Sequence, residues 1–336
     1  MDDFILESVL NSSGYRPGIQ PLKWLAKLNT NELPFPPSPK VKAAITANLF
    51  DLNRYPEPDA NTLCRAAAEV YGVDPECILA CNGGDEGLSV VMRAMLAVGD
   101  HITTLNQTYP FYATFAALLG VKVDAVSFGD ISPALAGKDT KLTILARPNS
   151  PCGKILNRST IAEWRGPLLV DEAYVEFSGD SVVDLLTIKP DLMILRTLSK
   201  AYGLAGLRIG FILARPEIIN HLRKVRGVYT VDRLASVAGT AALQDRNYLA
   251  STLESIRSER RLLFSELRRL GFSLEETSTN FLWVPKVSSS IFEKLTEKGI
   301  YIRALLTGQD LGARVTVGTK HQNIALISCL ENILNY

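Results

Sequence analysis

From residue 77 to residue 213, short apolar runs alternate with longer segments in which apolar residues recur at helical spacing. The runs predict strands at 77–81, 101–105, 121–127, 142–147, 167–171, 192–197 and 208–213. Between them, the helical pattern predicts helices at 85–97, 110–119 and 158–164. Alternation of this kind predicts a mostly parallel sheet that is covered by helices on both faces.

The pattern differs on both sides of this region. Before it, two segments rich in Pro and Asn, 28–39 and 54–59, are predicted to be irregular, and two helices are predicted at 39–51 and 60–71. Asp59 or Asn61 is the expected N-cap of the second of these helices. After residue 214 the chain is mainly helical to 270, and the later elements are a strand at 281–284, a helix at 288–298, strands at 300–303 and 313–317, and a helix at 321–334. We therefore predict a large domain over 40–230 and a smaller α/β domain made of 1–39 and 231–336.

Length and composition agree with two globular domains. The chain has 336 residues, of which 47% are hydrophobic and 21% charged, with a formal net charge of +1. Such a balance gives no general attraction to nucleic acid or to an anionic membrane, and no apolar run is long enough to span a bilayer. The five cysteines form no Cys-x-x-Cys pair and the N-terminus does not resemble a signal peptide, so we expect free thiols and a cytoplasmic location. The three histidines lack the spacing of zinc ligands, and no metal site is predicted.

Lys200 lies in the segment with the most distinctive chemistry. A predicted strand leads into Thr197, Ser199 and Lys200, and a glycine-rich stretch then leads to Arg208. Two hydroxyls and a guanidinium could bind one phosphate, which would bring an aldehyde carried by that phosphate within reach of the lysine. A Ser-Lys pair taken alone is more often a solvated strand end. The glycines do not match the dinucleotide-binding fingerprint, which argues against a nicotinamide cofactor.

Asp171 directly follows three apolar residues at the carboxyl end of a predicted central strand, where open α/β sheets bind ligands. A buried carboxylate there needs a cationic partner, and a protonated pyridine nitrogen is one candidate. Tyr174 could then bind the oxygen of the same ring. A helix cap or a structural salt bridge is an equally good reading of Asp171.

Several further residues are candidates for the same site. Gly84 and Asp85 lie in a turn before a predicted helix, where the helix N-terminus favours an anion, although a plain capped turn gives the same pattern. Tyr109 could stack on a flat ring or belong to the core. Asn149 follows a proline in a turn and could bind a ring oxygen, a substrate carboxylate or its own backbone. Arg303 and Arg314 lie on predicted strands and could each bind a carboxylate or a phosphate.

The order of these segments resembles that of the fold-type I pyridoxal-phosphate (PLP) aminotransferases, and among them the histidinol-phosphate aminotransferase family. The matching segments are LNTNELP (28–34), RYPEPD (54–59), NGGDE (82–86), TYPFY (108–112), DEAYVEF (171–177), RTLSKAYGLAGLRIG (196–210), TNFLWV (279–284) and RVTVGT (314–319). They span nearly the whole chain. The stretch from 171 to 210 is specific for the superfamily, whereas YRPG (15–18), LNTNELP and RYPEPD indicate this family.

The resemblance implies a fold-type I PLP-transferase, with a mostly parallel seven-stranded sheet in the large domain and a smaller C-terminal α/β domain. Lys200 would hold PLP as a Schiff base and move a proton between the substrate α-carbon and the cofactor. Asp171 would bind the pyridine nitrogen, Tyr174 would contact the ring oxygen and Tyr109 would stack on the ring. The residues implied for the cofactor phosphate are Gly84, Asp85, Thr197, Ser199 and Arg208, with Tyr55 supplied by the neighbouring subunit of a homodimer.

The implied reaction transfers an amino group from glutamate to imidazole-acetol phosphate, giving histidinol phosphate and 2-oxoglutarate, and it runs in both directions. It belongs to histidine biosynthesis. Arg314 would bind the α-carboxylate of glutamate, and the candidates for the substrate phosphate are Tyr15, Asn31, Arg303 and Arg314.

One turn departs from the family pattern. Where the family commonly has Asn-Asn-Pro-Thr-Gly, with the second Asn on the cofactor, this chain has Asn149, Ser150, Pro151, Cys152 and Gly153. We expect Asn149 to make the cofactor contact, with Ser150 as the alternative.

Three other functions fit parts of the pattern. Threonine-phosphate decarboxylases and aromatic-amino-acid aminotransferases resemble this chain in fold and cofactor, and release of carbon dioxide or turnover of phenylalanine would identify them. A PLP-sensing regulator would need an added DNA-binding domain, for which the chain has neither spare residues nor a basic surplus.

Overall fold

A seven-stranded sheet forms the centre of the larger part of the molecule. The structure, a computed structural model, describes residues 4–135 and 139–334. In this part of the chain the strands are β1 (Ala26–Leu28), β2 (Ile78–Asn82), β3 (His101–Leu105), β4 (Lys122–Val126), β5 (Leu142–Ala146), β6 (Leu168–Asp171), β7 (Leu192–Thr197), β8 (Ile209–Leu213), β9 (Phe281–Val284), β10 (Ile300–Thr307) and β11 (Asp310–Thr316). The large sheet has the order β2-β8-β7-β6-β5-β3-β4. All neighbours are parallel except β8, which is antiparallel to both β2 and β7.

The prediction of this sheet is confirmed, and every predicted strand end lies within one residue of the observed one. The reason is that β5, β6, β7 and β8 are buried along their whole length. A strand that is covered on both faces has an apolar residue at almost every position, and such a run is easily recognised in a sequence.

Helices cover both faces of the large sheet. The α-helices of the described residues, in both parts of the molecule, are α1 (Glu7–Leu10), α2 (Pro39–Ala47), α3 (Asn61–Tyr71), α4 (Gly83–Met95), α5 (Phe111–Leu118), α6 (Arg158–Glu163), α7 (Val175–Ser178), α8 (Pro216–Val225), α9 (Arg233–Gln244), α10 (Arg246–Arg269), α11 (Ser289–Glu297) and α12 (Lys320–Leu334). Successive residues of one strand belong to different cores: Leu169 packs in the core with α4, α5 and α8, whereas Val170 packs in the core with α3 and α9. None of the described helices is long and apolar enough to cross a membrane.

The start of α3 differs from the expectation. Its N-cap residue is Ala60, in the left-handed region with φ 49°, and not Asp59 or Asn61. The backbone N–H of Thr62 donates instead to the carboxylate of Glu57, at 2.8 Å. A carboxylate from the preceding loop thus satisfies a donor that an N-cap side chain would otherwise accept.

A second sheet of four strands has the order β1-β10-β11-β9, and its core is shared with α10, α11 and α12. The two short strands predicted at 300–303 and 313–317 are in fact longer, and they form a hairpin that turns around Gly308 at φ 65°. The strand β1 was not predicted, because it has only three residues and its middle residue is Lys27. Its parallel pairing with Ile300–Ile302 places the N-terminal segment beside this sheet.

The predicted division at residue 230 remains a proposal, and its ends at 1–3 and 335–336 lie outside the described residues. The helix α9, which we assigned to the small domain, packs on α2 and α3, and its apolar residues belong to a core of the large sheet.

Candidate active site

A cavity of about 210 Å³ lies where the ends of β6 and β7 face the second sheet. Its wall includes twelve of the predicted site residues: Tyr15, Gly84, Asp85, Tyr109, Asp171, Tyr174, Thr197, Ser199, Lys200, Arg208, Arg303 and Arg314. These residues come from both ends of the chain and from both sheets. Three predicted residues, Asn31, Tyr55 and Asn149, are not part of this wall.

Lys200 reaches the cavity from the turn that follows β7. Its Nζ donates a long hydrogen bond, 3.4 Å, to the backbone oxygen of Thr30, and lies 5.7 Å from the centre of the Tyr174 ring. The turn closes through the backbone N–H of Gly203, which donates to the Lys200 carbonyl at 3.2 Å. Gly203 has φ 67°, a conformation that glycine adopts without strain. Within the described residues no carboxylate pairs with Lys200, so its amine is available to a ligand.

Asp171 ends β6 and is buried. Its Oδ1 accepts a hydrogen bond from the backbone N–H of Ala173 at 2.9 Å, and its Oδ2 accepts one from the Tyr112 hydroxyl at 2.5 Å. Burial raises the pKa of this carboxyl, and the two hydrogen bonds and the charge of Lys200 act in the opposite direction. A bound cation facing Asp171 would offset the cost of its burial.

Tyr174 is held by a chain of hydrogen bonds from the second sheet. The backbone N–H of Asn31 donates to the Thr316 hydroxyl at 3.0 Å, and that hydroxyl donates to Asn31 Oδ1 at 3.1 Å. The amide orientation is thereby fixed, and Asn31 Nδ2 donates to the Tyr174 oxygen at 2.8 Å. Because the Tyr174 oxygen accepts this bond, its own proton is free to be donated to a ligand. Asn31 is fully buried, so the structure does not place it against a substrate phosphate as we had expected.

An anion cradle lies at the start of α4. The backbone approaches closely here: a Cβ on Gly83 would lie 2.7 Å from Arg208 Nη2. Arg208 donates to Ser199 Oγ at 3.4 Å and to an Asp85 oxygen at 3.3 Å. The Thr197 hydroxyl lies 3.0 Å from Ser199 Oγ. Hydroxyls, a guanidinium and the N-terminus of a helix of more than three turns form a donor set suited to a phosphate.

Tyr109 closes the same side of the cavity. Its hydroxyl donates to Asp85 Oδ1 at 3.1 Å, so its proton is not available to a ligand. Its ring meets the edge of Tyr15 at a centroid distance of 5.6 Å and lies 5.9 Å from Phe111 in a stacked arrangement.

The turn at residues 149–153 places Ser150, and not Asn149, on the cavity wall. Asn149 is buried, and its amide is used within the protein: Oδ1 accepts from the Thr108 hydroxyl at 2.7 Å and Nδ2 donates to the Gln107 carbonyl at 2.8 Å. The contact of Asn149 with the cofactor stays a prediction, and in this structure its amide bonds only within the protein. Ser150 Oγ accepts a hydrogen bond from Arg314 Nη1 at 3.1 Å.

Arg303 and Arg314 are paired across β10 and β11 and both reach the cavity. Arg303 donates to the carbonyls of Arg16 and Pro17, at 2.9 and 3.1 Å, which fixes the N-terminal segment. Arg314 donates to the Asn29 carbonyl at 3.2 Å, and its buried Nε finds no hydrogen-bond partner among the residues that the structure describes. Burial lowers the pKa of Arg314, and the charge of Arg303 acts in the same direction. Among residues 4–135 and 139–334 neither guanidinium has a carboxylate partner, and two such adjacent groups form a site for an anion.

Tyr55 lies on the surface, away from the cavity. Its ring is 79% exposed and stacks on Tyr229 at a centroid distance of 4.6 Å. A single chain therefore does not bring Tyr55 to the phosphate cradle.

Two residues of the site were missed. Tyr112 lies in the first turn of α5, and its contact with Asp171 joins residues 59 positions apart, which no spacing in the sequence indicates. The carbonyl of Thr30 carries no signal in the sequence, because every residue has one.

Comparison with known proteins shows which family the chain belongs to. Residues 24–328 match the model of the family described as aminotransferase class I and II. A histidinol-phosphate aminotransferase from Synechocystis sp. is 38% identical over 98% of each chain, and one from Citrifermentans bemidjiense is 35% identical over 97% of each. The crystal structure of histidinol-phosphate aminotransferase from Sinorhizobium meliloti in complex with pyridoxal-5′-phosphate superimposes with a TM-score of 0.87, at 26% identity, and covers 93% of this chain and 92% of that one.

Proposed function

Because this chain belongs to the class I and II aminotransferases, and within them to the histidinol-phosphate aminotransferase family, we propose that it is the PLP-dependent transaminase of histidinol phosphate. It would transfer an amino group between histidinol phosphate and 2-oxoglutarate, giving imidazole-acetol phosphate and glutamate. The observation that carries this proposal is one cavity lined by an amine, a buried carboxylate, a phosphate cradle and two arginines that have no carboxylate partner in the described part of the chain.

The residues of the cavity fit PLP. Gly84, Ser199 and Arg208 line the cavity together and would hold the phosphate, and the lack of a side chain on Gly83 lets the Arg208 guanidinium lie against the start of α4. On the same wall, Asp171 is a buried acid with acceptor capacity left for a protonated ring nitrogen. When bound, PLP supplies an aldehyde carbon and an electron-withdrawing ring.

The hydrogen bonds of the site indicate which side chains can exchange or donate a proton to a ligand. Lys200 Nζ can take a proton from the substrate α-carbon and return it, because its one hydrogen bond among the described residues is long, 3.4 Å, and goes to a backbone carbonyl. The hydroxyl proton of Tyr174 is free for the ring oxygen, since Asn31 already donates to the Tyr174 oxygen. The protons of Tyr109 and Tyr112 are committed to Asp85 and Asp171. Of these three tyrosines, only Tyr174 can donate to a ligand.

The arginines suit the chemistry of both substrates. Arg314 can bind the α-carboxylate of glutamate through two parallel hydrogen bonds. Arg303 and Tyr15 line the same cavity, and a substrate phosphate would benefit from the second guanidinium. The hydrogen bonds from Arg303 to residues 16 and 17 also hold the segment that carries Tyr15.

The substrate is tested by the absorption spectrum of the purified protein loaded with PLP. Addition of histidinol phosphate alone should convert the cofactor band to that of pyridoxamine phosphate, and 2-oxoglutarate should then restore it. A spectrum that is insensitive to histidinol phosphate but changes with threonine phosphate or phenylalanine would overturn the substrate and leave the cofactor site in place.

We also propose that the chain acts as a homodimer in which Tyr55 completes the phosphate cradle of its partner. The exposed aromatic pair of Tyr55 and Tyr229, and Val228 beside it in the chain, which is 73% exposed, support an interface on this face.

Two doubly tagged heterodimers, each with one intact Lys200, test which subunit supplies Tyr55 to a site. In the first, one chain carries Lys200→Ala and the other Tyr55→Ala; in the second, one chain carries both changes and the other none. If Tyr55 acts across the interface, the site that keeps Lys200 should bind PLP with normal affinity in the first heterodimer. In the second heterodimer its affinity should be about tenfold lower. The reverse order, or the failure to isolate a doubly tagged species, would contradict the proposal.

A further inference from the structure

Tyr112 is a fully buried residue of the first turn of α5, and it lies directly behind Asp171. Its hydroxyl is 2.5 Å from Asp171 Oδ2, and its ring meets that of Tyr109 edge to face at a centroid distance of 5.6 Å. Tyr112 contacts Asp171 and has no role of its own in the proposed reaction.

The direction of the hydrogen bond follows from the groups around it. Burial raises the pKa of Tyr112 well above its ordinary value, as does the negative charge of Asp171, so the hydroxyl keeps its proton and donates it. The other oxygen of Asp171 accepts from the backbone N–H of Ala173, which can only donate. Both protein contacts of the carboxylate are thus donors, and both favour its ionised form.

These contacts oppose the effect of burial, which favours the neutral acid. A carboxylate has about four acceptor sites, and two donors leave it able to accept one more hydrogen bond from the cavity. A proton shared between Asp171 and a ring nitrogen could rest on either partner. The donor behind Asp171 shifts that proton toward the ring.

We propose that Tyr112 is a positioning residue that keeps Asp171 ionised and aligned, so that the cofactor ring is bound with its nitrogen protonated. The proposal rests on the proposed function, because it needs a ring with a basic nitrogen at this site. A purely structural role for Tyr112, as a large side chain between α5 and β6, predicts no dependence on that nitrogen.

The test compares two probes that differ in one ring atom, PLP and 1-deazapyridoxal 5′-phosphate, which has a C–H in place of the nitrogen. Binding of each to the cofactor-free protein is measured for the wild type and for Tyr112→Phe, which keeps the ring and removes only the hydroxyl. We expect PLP affinity to fall about tenfold, as for the loss of a charge-assisted hydrogen bond. Affinity for the deaza analogue should stay the same or increase, because a neutral Asp171 faces a C–H more favourably.

Tyr71→Phe is the matched control. Tyr71 is also buried, and its hydroxyl has no hydrogen-bond partner within the described residues. This variant should bind both probes like the wild type. An equal loss of both probes in Tyr112→Phe, or no loss of either, would overturn the role of Tyr112 alone. A wild-type protein that does not bind PLP would overturn the proposed function and this inference with it.

Discussion

A Lys200→Ala variant is expected to lose turnover of histidinol phosphate by about 10⁴-fold, the upper range for removal of a general acid-base group. Lys200 Nζ is the amine that reaches the cavity beside Tyr174, and the described residues offer no carboxylate that would hold it elsewhere. Steady-state rates with histidinol phosphate and 2-oxoglutarate measure the loss. Turnover within tenfold of the wild type would remove Lys200 from the mechanism.

Two further measurements test whether the loss of turnover comes from the missing amine or from a damaged fold. Lys200→Arg keeps the positive charge in the same turn but cannot form a carbonyl adduct, so it should be as inactive as the alanine variant while unfolding at a similar denaturant concentration. Borohydride treatment of the PLP-loaded wild type should attach the cofactor to the peptide that contains Lys200, as seen by mass spectrometry, and to no peptide of Lys200→Ala. Attachment at another lysine would show that the site lies elsewhere.

The large sheet could be predicted from the sequence because its strands are covered on both faces. An apolar run such as Leu168–Val170 then has few alternative interpretations. The second sheet was harder to predict. Its strand β1 exists through pairing with Ile300–Ile302, which lie far along the chain, and β10 has a partly exposed face that carries Leu306.

The position of a residue on the cavity wall was predictable where a charged residue follows an apolar strand, as Lys200 and Asp171 do. It was less predictable where two adjacent residues of a turn compete for one position. Asn149 and Ser150 are adjacent in the chain. The side chain of Asn149 points away from the cavity because it forms hydrogen bonds with Gln107 and Thr108. The family resemblance assigned Asn31 to the substrate phosphate. Its hydrogen bond to Tyr174 could not be predicted, because it joins two parts of the fold that sequence patterns do not bring together.

Replacing Arg314 with Met should have opposite effects on substrate binding and on stability. Arg314 is largely buried, has no carboxylate partner within the described residues, and has its pKa lowered by burial and by Arg303. A base whose pKa is lowered by folding destabilises the folded protein at neutral pH, where it is charged. Met removes that charge and keeps much of the side-chain volume. We therefore expect the free energy of unfolding of the cofactor- and substrate-free protein to rise by about 1 kcal/mol.

The same charge is what an anionic substrate needs, so the KM for glutamate should rise by about 10²- to 10³-fold in Arg314→Met, as when one partner of a buried pair is removed. Urea unfolding and steady-state kinetics on one preparation measure both effects. The KM for glutamate of Arg314→Lys should lie between those of the wild type and Arg314→Met, because an ammonium keeps the charge and loses the paired hydrogen bonds. Arg261→Met, on an arginine whose side chain is 73% exposed, is the control and should change neither quantity. A loss of stability in Arg314→Met together with an unchanged KM would mean that Arg314 holds Ser150 and Asn29 in place and binds no substrate.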